Sequence, residues 1–232
     1  MECIVLAGGL GTRLRGAIGD FPKCMAPVNG KPFLHYILNY LQEQGCTRLI
    51  LSLGYKHEII TEWLQTQTRP YAIDFVIEYE PLGTGGGILL ALHQASAEDV
   101  FVLNGDTFFR VQLSDMYDFH MEQQAGTTLA LKPMQNFERY GVVNTDDKNC
   151  IVTFEEKEYR EEGNINGGIY VVNKAFVLQK NLPLKCSFEK DFFEAFVNEK
   201  RFSAYISNSY FIDIGIPEDY EKAQLDFKVM QL

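Results

Sequence analysis

Residues 3–7 form an unbroken apolar run that ends in four glycines, Gly8, Gly9, Gly11 and Gly16. An apolar run without polar alternation suits a strand covered on both faces, the setting of parallel sheets flanked by helices. Glycine costs conformational entropy wherever it is ordered, so a cluster at a strand end points to a tight turn or to a ligand that the backbone approaches closely. The same alternation continues downstream. Residues 31–44 carry Phe33, Leu34, Ile37, Leu38 and Leu41 on one helical face, and Gly45 supplies the stop. Residues 48–53, 72–78 and 100–103 read as strands, with helices at 58–65 and 84–95 between them. Strands alternating with helices predict an α/β chain whose mostly parallel sheet is covered on both faces.

The second half is less regular. Residues 115–123 read as a helix, and 127–131, 141–144, 151–154, 165–172, 204–207 and 210–212 as strands. Phe188, Phe192, Phe193 and Phe196 mark a helix that Ser187 caps, and Pro217 opens a terminal helix. The acidic run EEKEYREEG at 155–163 reads as a solvated loop. Trp63 and the phenylalanine stripe read as core. His35, His57, His93 and His120 match no motif and read as packing or surface residues.

No internal repeat or low-complexity linker divides the 232 residues, so one domain spanning 1–232 is expected, with 46% apolar residues to build its core. The formal net charge of −10 argues against a nucleic-acid partner. Cys3, Cys24, Cys46, Cys150 and Cys186 are scattered, without CxxC pairs or metal spacing, which suits free thiols in a reducing cytoplasm. No basic leader precedes the first strand, and no apolar run approaches the ~20 residues of a membrane span. A soluble, cytoplasmic protein without a membrane partner is expected.

The glycine loop fails two familiar phosphate patterns. Gly9 and Gly11 fit the first positions of GxGxxG, but Leu14 stands at the third, and no GxxxxGK[ST] occurs. What remains is GGxGTRL followed by Pro22-Lys23. Backbone N–H groups of such a turn, a helix starting near Thr12, the fork of Arg13 and the mobile charge of Lys23 together suit a polyphosphate. The plain alternative is a strand-to-helix turn with two solvated cations; Arg15 stands beside them in the sequence. Asp106 and Asp213 each follow a strand-like run, and two such carboxylates can share one hard cation with water and phosphate oxygens. Their plain alternative is local: an Asx turn at Asn104-Gly105-Asp106, and a turn or cap before Gly215 and Pro217.

LAGGLGTRL with Pro22-Lys23, EPLGTGGGI (80–88), VLNGDTFF (102–109), RYGVV (139–143), EEKE (155–158), INGGIYV (165–171) and FIDIGIPEDY (211–220) occur in one order along nearly the whole chain. Together they resemble the sugar-phosphate nucleotidylyltransferases. The resemblance implies an α/β, three-layer Rossmann-like nucleotidyltransferase (GT-A-like) fold with a mostly parallel, mixed central sheet and a small sugar-binding β subregion, 1–110 serving mainly the nucleotide and 111–232 mainly the sugar phosphate. It implies transfer of a nucleoside monophosphate from a nucleoside triphosphate to a sugar 1-phosphate, with Mg²⁺ held by Asp106 and Asp213. Arg13, Lys23 and Asp106 take the catalytic positions. Leu6, Ala7, Gly8, Gly9, Gly11, Thr12, Glu80, Gly83 and Thr84 take the nucleotide positions, and Gly141, Glu156, Lys157 and Asn166 those of the sugar phosphate. Glu80 could accept both N1–H and N2–H of guanine, which favours GTP. GTRLRGAIGDFPK and EPLGTGGGI are similar to a bacterial subgroup that joins GTP to a heptose 1-phosphate, although Cys24 stands where proline is common. The chain ends at Leu232, with no room for the β-helix domain of many relatives, and relatives often form homo-oligomers. Two rivals follow: the same chemistry on another pair, such as mannose 1-phosphate with GTP or N-acetylmuramate 1-phosphate with UTP, and a non-catalytic nucleotide-sugar sensor. A glycosyltransferase would show DxD where this chain has Asn104-Gly105-Asp106.

Overall fold

The computed structural model describes residues 1–9, 11, 14, 16 and 19–232. Its strands are β1 (Glu2–Leu6), β2 (Pro27–Val28), β3 (Lys31–Pro32), β4 (Arg48–Leu53), β5 (Ala72–Ile77), β6 (Asp99–Asn104), β7 (Thr107–Phe109), β8 (Thr127–Phe137), β9 (Val143–Thr145), β10 (Ile151–Phe154), β11 (Arg160–Asn173), β12 (Phe202–Ile206) and β13 (Phe211–Asp213). The α-helices are α1 (Phe33–Glu43), α2 (His57–Gln65), α3 (Gly83–Leu92), α4 (Leu113–Gln123), α5 (Lys174–Leu178) and α6 (Pro217–Val229).

The main sheet runs β12-β8-β11-β6-β1-β4-β5. β1 pairs in parallel with β4 and β6, β4 with β5, and β8 with β12, whereas β11 is antiparallel to both β6 and β8. The expected mostly parallel mixed sheet is therefore present. From β1 the chain first builds outward through β4 to β5, then crosses to the other flank of β1 as β6. That reversal leaves a crevice beyond the carboxyl ends of β1 and β6, where open α/β sheets bind ligands.

Strand alternation explains the three layers. Cys3 and Val5, Leu49 and Leu51, Phe101 and Leu103, and Ile169 and Val171 point to one face. There they meet Phe33, Ile37 and Leu41 of α1, Met116 of α4 and Phe227 of α6. Ile4, Ile50, Val102, Tyr170 and Val172 point to the other face, against Ile88 and Leu92 of α3, Phe176 of α5 and Phe188, Phe192 and Phe193. The continuous apolar character of β1 is thus the consequence of burial on both sides. Gly45 ends α1 as expected, with the Cys46 N–H donating back to the Leu41 carbonyl at 2.9 Å. Trp63 packs against the first core from a partly buried position, and His120 is buried, its Nδ1 2.8 Å from Thr128 Oγ1.

Two local expectations change, and one pairing is new. The acidic run is only partly loop, because residues from Arg160 onward lengthen β11 and pair with β8, Arg160 lying opposite Phe137. Cross-strand pairing there overrides a composition that reads as solvated. The phenylalanine stripe forms a wider π-helix over Phe188–Glu194, capped by the Ser187 hydroxyl accepting from the Lys190 N–H at 3.2 Å. Phe188 and Phe193, five apart, then both enter the core. Finally, β7 and β13 form a two-stranded ribbon outside the main sheet, with Asp213 opposite Thr107.

Phe192 is fully buried, stacked on Phe188 at 4.6 Å between centroids and edge-on to Phe202 at 5.2 Å. Phe192→Ala is expected to destabilise the protein by about 3–5 kcal/mol in urea unfolding, through lost transfer energy plus the cavity left behind.

Candidate active site

A cavity of about 540 Å³ opens at the crevice between β1 and β6. Leu6, Ala7, Gly8 and Gly9 come to it from the end of β1, Gly54, Tyr55 and His57 from the β4–α2 turn, Glu78 to Pro81 with Gly83 and Thr84 from the β5–α3 loop, and Asn104, Gly105 and Asp106 from the end of β6. The chain approaches itself closely here. The Gly105 N–H donates to the Leu6 carbonyl at 2.9 Å, and a Cβ on Gly105 would stand 2.4 Å from that same oxygen. Gly11 has φ of +59°, and a Cβ there would meet Lys23 Cβ at 3.1 Å. The glycine cluster thus seats its loop against the Lys23 stem, which answers for at least one of its members.

Lys23 lies in a short 3-10 turn, Lys23–Met25, with a side chain only 11% exposed. Its ammonium donates to Asp106 Oδ2 at 2.5 Å and to Asp213 Oδ1 at 3.3 Å. The two aspartates, far apart in sequence, therefore converge on one cation. The β7–β13 ribbon brings them together, and the Ile214 N–H donates to the Asp106 carbonyl at 3.1 Å. Asp213 Oδ1 also accepts from the Gly215 N–H at 2.8 Å. Burial pushes the Asp213 carboxyl above its ordinary range, while the Lys23 ammonium pulls it back. The carboxylates already share one cation, and their hard oxygen donors suit a magnesium ion. Among the described residues no third metal-type side chain joins them, so phosphate oxygens and water would complete such a shell.

The β5–α3 loop is pinned at both ends. The Glu78 N–H donates to the Leu53 carbonyl at 2.7 Å, and the Glu78 carboxylate accepts from Ser52 Oγ and from the Leu82 N–H, each at 3.1 Å. At the far end Gly83 has φ of +77°, and a Cβ there would stand 2.5 Å from the Cys186 carbonyl oxygen. The Cys186 N–H returns to the Leu82 carbonyl at 2.9 Å. Between these anchors Tyr79, Glu80 and Pro81 are exposed and line the cavity.

Of the expected nucleotide residues, Leu6, Ala7, Gly8, Gly9, Glu80, Gly83 and Thr84 line this cavity together with Lys23 and Asp106, and Gly11 abuts Lys23. Thr12, Arg13 and Arg15 lie outside the described residues. Asn166 sits on β11, its Oδ1 accepting from the Gly168 N–H at 3.0 Å and its Nδ2 donating to Tyr170 Oη at 2.9 Å. Because Ile169 pairs with Leu103, Asn166 lies toward the end of β6 that carries Asp106. Gly141, Glu156 and Lys157 are not among the cavity-lining residues; Glu156 and Lys157 are exposed between β10 and β11. A Cβ at Gly141 would stand 2.3 Å from the Glu155 carbonyl oxygen, so that backbone contact needs glycine. Glu78, Tyr79, Tyr55 and His57 were missed by sequence reasoning. The signal for the first two was their position immediately before EPLGTGGGI; for the others only the strand end at Leu53 could have pointed to them.

The family model for nucleotidyl transferases matches residues 2–228. The chain is 50% identical over 228 residues to the D-glycero-alpha-D-manno-heptose 1-phosphate guanylyltransferase of Aneurinibacillus thermoaerophilus, covering 98% of this chain and 99% of the relative. It is 45% identical over 220 residues to the enzyme of the same name from Campylobacter jejuni, covering 95% and 97%. Among solved structures it is similar to HddC from Yersinia pseudotuberculosis complexed with GMP-PN, with a TM-score of 0.87 and 37% identity over 97% of this chain and 99% of that one.

Cys24 lines the cavity, yet burial pushes its thiol up to about 12. It stays protonated across neutral and mildly alkaline pH. Iodoacetamide at pH 8 is expected to label the less buried Cys150 well before Cys24, read by peptide mass spectrometry.

Proposed function

The chain belongs to the nucleotidyl transferase family, and on that premise we propose that it transfers GMP from GTP to a heptose 1-phosphate, releasing pyrophosphate and forming a GDP-heptose. The observation that carries nucleotidyl transfer is the meeting of Lys23, Asp106 and Asp213 at a cavity built from the carboxyl edge of the sheet. The choice of substrates is supported by the near full-length identity to two heptose 1-phosphate guanylyltransferases.

A sugar 1-phosphate oxygen attacks the α-phosphorus in line; the new P–O bond forms as the bond to the bridging oxygen breaks, and pyrophosphate leaves with the electron pair. The nucleophile is already an anion, so positioning and charge neutralisation do the catalytic work. In this reading Lys23 neutralises the α-phosphate and the attacking oxygen, and Arg13 holds the leaving phosphates. Asp106 and Asp213 would hold Mg²⁺, which when bound supplies a hard positive charge for the polyphosphate oxygens. The base lies over the end of β1 against Leu6, Ala7 and Gly8. Glu80, on the cavity rim, accepts the two adjacent guanine donors. Glu78 is the inner carboxylate of the same loop, its Oε1 lying 3.3 Å from where a Gly8 Cβ would stand. Gly141, Glu156, Lys157 and Asn166 receive the sugar phosphate.

The chain is read as one catalytic domain in which 1–110 serves the nucleotide and 111–232 the sugar phosphate. This is supported by a cavity whose described lining residues all precede residue 110. Five free cysteines and the absence, among the described residues, of a helix able to cross a membrane support a cytoplasmic setting.

Pyrophosphate release measured across four nucleoside triphosphates and several sugar 1-phosphates is expected to rank GTP with heptose 1-phosphate first. A higher rank for UTP or dTTP pairs would refute the assignment. Asp106→Asn and Lys23→Met are each expected to lower turnover by at least ~100-fold with the fold retained by circular dichroism. Near-normal rates in Asp106→Asn would exclude its role.

A further inference from the structure

We propose that Tyr79 is the stacking platform for the nucleobase, covering its open face once the triphosphate is seated. The inference rests on the nucleotide reading of the cavity and goes beyond it, because the edge contacts and the backbone of β1 leave one face of the base unassigned.

Tyr79 is 91% exposed although it is one of the residues that line the cavity. Large aromatic side chains dominate burial energetics, so an aromatic ring left in water at a cavity mouth is unusual unless something covers it. Loose backbone does not explain the exposure. Glu78, the preceding residue, is fixed through its N–H and both carboxylate oxygens, and Leu82 and Gly83 are fixed against Cys186. The loop presents the ring from a braced frame, and Pro81, two residues on, further limits the backbone.

The other tyrosine on the wall is committed elsewhere. Tyr55 donates its hydroxyl to Asp20 Oδ1 at 2.5 Å, and the Lys56 ammonium lies 5.6 Å from its ring centroid. Among the described residues Tyr79 has no ring, cation or hydrogen-bond contact of this kind. Its neighbours Glu78 and Glu80 are the two carboxylates of the loop, so one short segment offers acceptors for a base edge and a π-face for a base plane. Stacking tolerates any base, whereas carboxylates discriminate. Affinity and selectivity are therefore divided between adjacent residues of one loop.

Calorimetric titration of the full-length chain with GTP, ATP, UTP and inorganic tripolyphosphate tests this. Tyr79→Ala is expected to weaken GTP binding by about tenfold to a hundredfold, to weaken ATP and UTP as well without changing their order, and to leave tripolyphosphate binding unchanged. Tyr79→Phe and Tyr79→Trp are expected to retain wild-type GTP affinity, since the ring and not the hydroxyl makes the contact. Equal GTP affinity in wild type and Tyr79→Ala overturns the stacking role alone. A parallel loss of tripolyphosphate affinity also overturns it, by showing a general disturbance of the site. A wild-type chain that binds no nucleoside triphosphate overturns the nucleotide reading itself, and the stacking role with it.

Discussion

One ammonium group holds the candidate site together. Lys23 is separated from Asp106 by 83 residues and from Asp213 by 190, yet its Nζ touches both carboxylates. Two acids this close, one of them largely buried, repel each other and resist ionisation without a cation between them. The whole topology serves that contact. The parallel pair β1–β6 delivers Asp106 to the crevice, the 3-10 turn delivers Lys23 beside Gly11, and the β7–β13 ribbon returns the distant Asp213. Because the ribbon stands outside the main sheet, Asp213 is placed by that short antiparallel pairing together with the Ile214 N–H to Asp106 carbonyl bond and the Lys23 contact.

The sheet's reversal point explains why the remaining residues meet there. β1, β4, β5 and β6 all end on the same edge, so four separate connections present their first residues to one volume. Two of these connections are braced by side chains. The β5–α3 loop is tied through Glu78 and Cys186, and the β4–α2 turn reaches Asp20 through Tyr55 and Lys56, whose ammonium donates to Asp20 Oδ2 at 2.5 Å. A rigid edge with braced loops suits a site whose task is positioning, since little reorganisation then accompanies charge development.

Most of the α/β frame was legible because each half of the alternation has its own period. The unbroken run at residues 3–7 and the 3.6-period face of α1 could each be assigned without knowledge of the other. The site was legible where chemistry is written in short motifs: the glycine cluster, Lys23, and the acids after two strands. Several features could not be read. The extension of β11 from Arg160 has a composition that reads as loop, and only the facing length of β8 makes it a strand. The π-helical winding at Phe188–Glu194 follows from packing a phenylalanine cluster, not from propensity. Tyr79 and Glu78 carry no motif of their own; their importance lies in where the loop's anchors point them.

The histidines illustrate what the proposed chemistry does not require. His120 is sealed in the core between Thr128 and Asp99, where burial holds its imidazole below the usual range, so it is withdrawn from proton traffic at neutral pH. His57 reaches the cavity wall beside Gly54 and Tyr55, and its Nε2 lies 3.6 Å from Glu58 Oε1. A reaction between two phosphate anions has no proton to abstract from its nucleophile. Its obstacle is the mutual repulsion of negative charge, in a protein whose own net charge is −10. Among the described lining residues Lys23 supplies the positive charge, set where it offsets Asp106 and Asp213, and in the proposed reaction that charge eases the approach of a polyanion to an acidic chain.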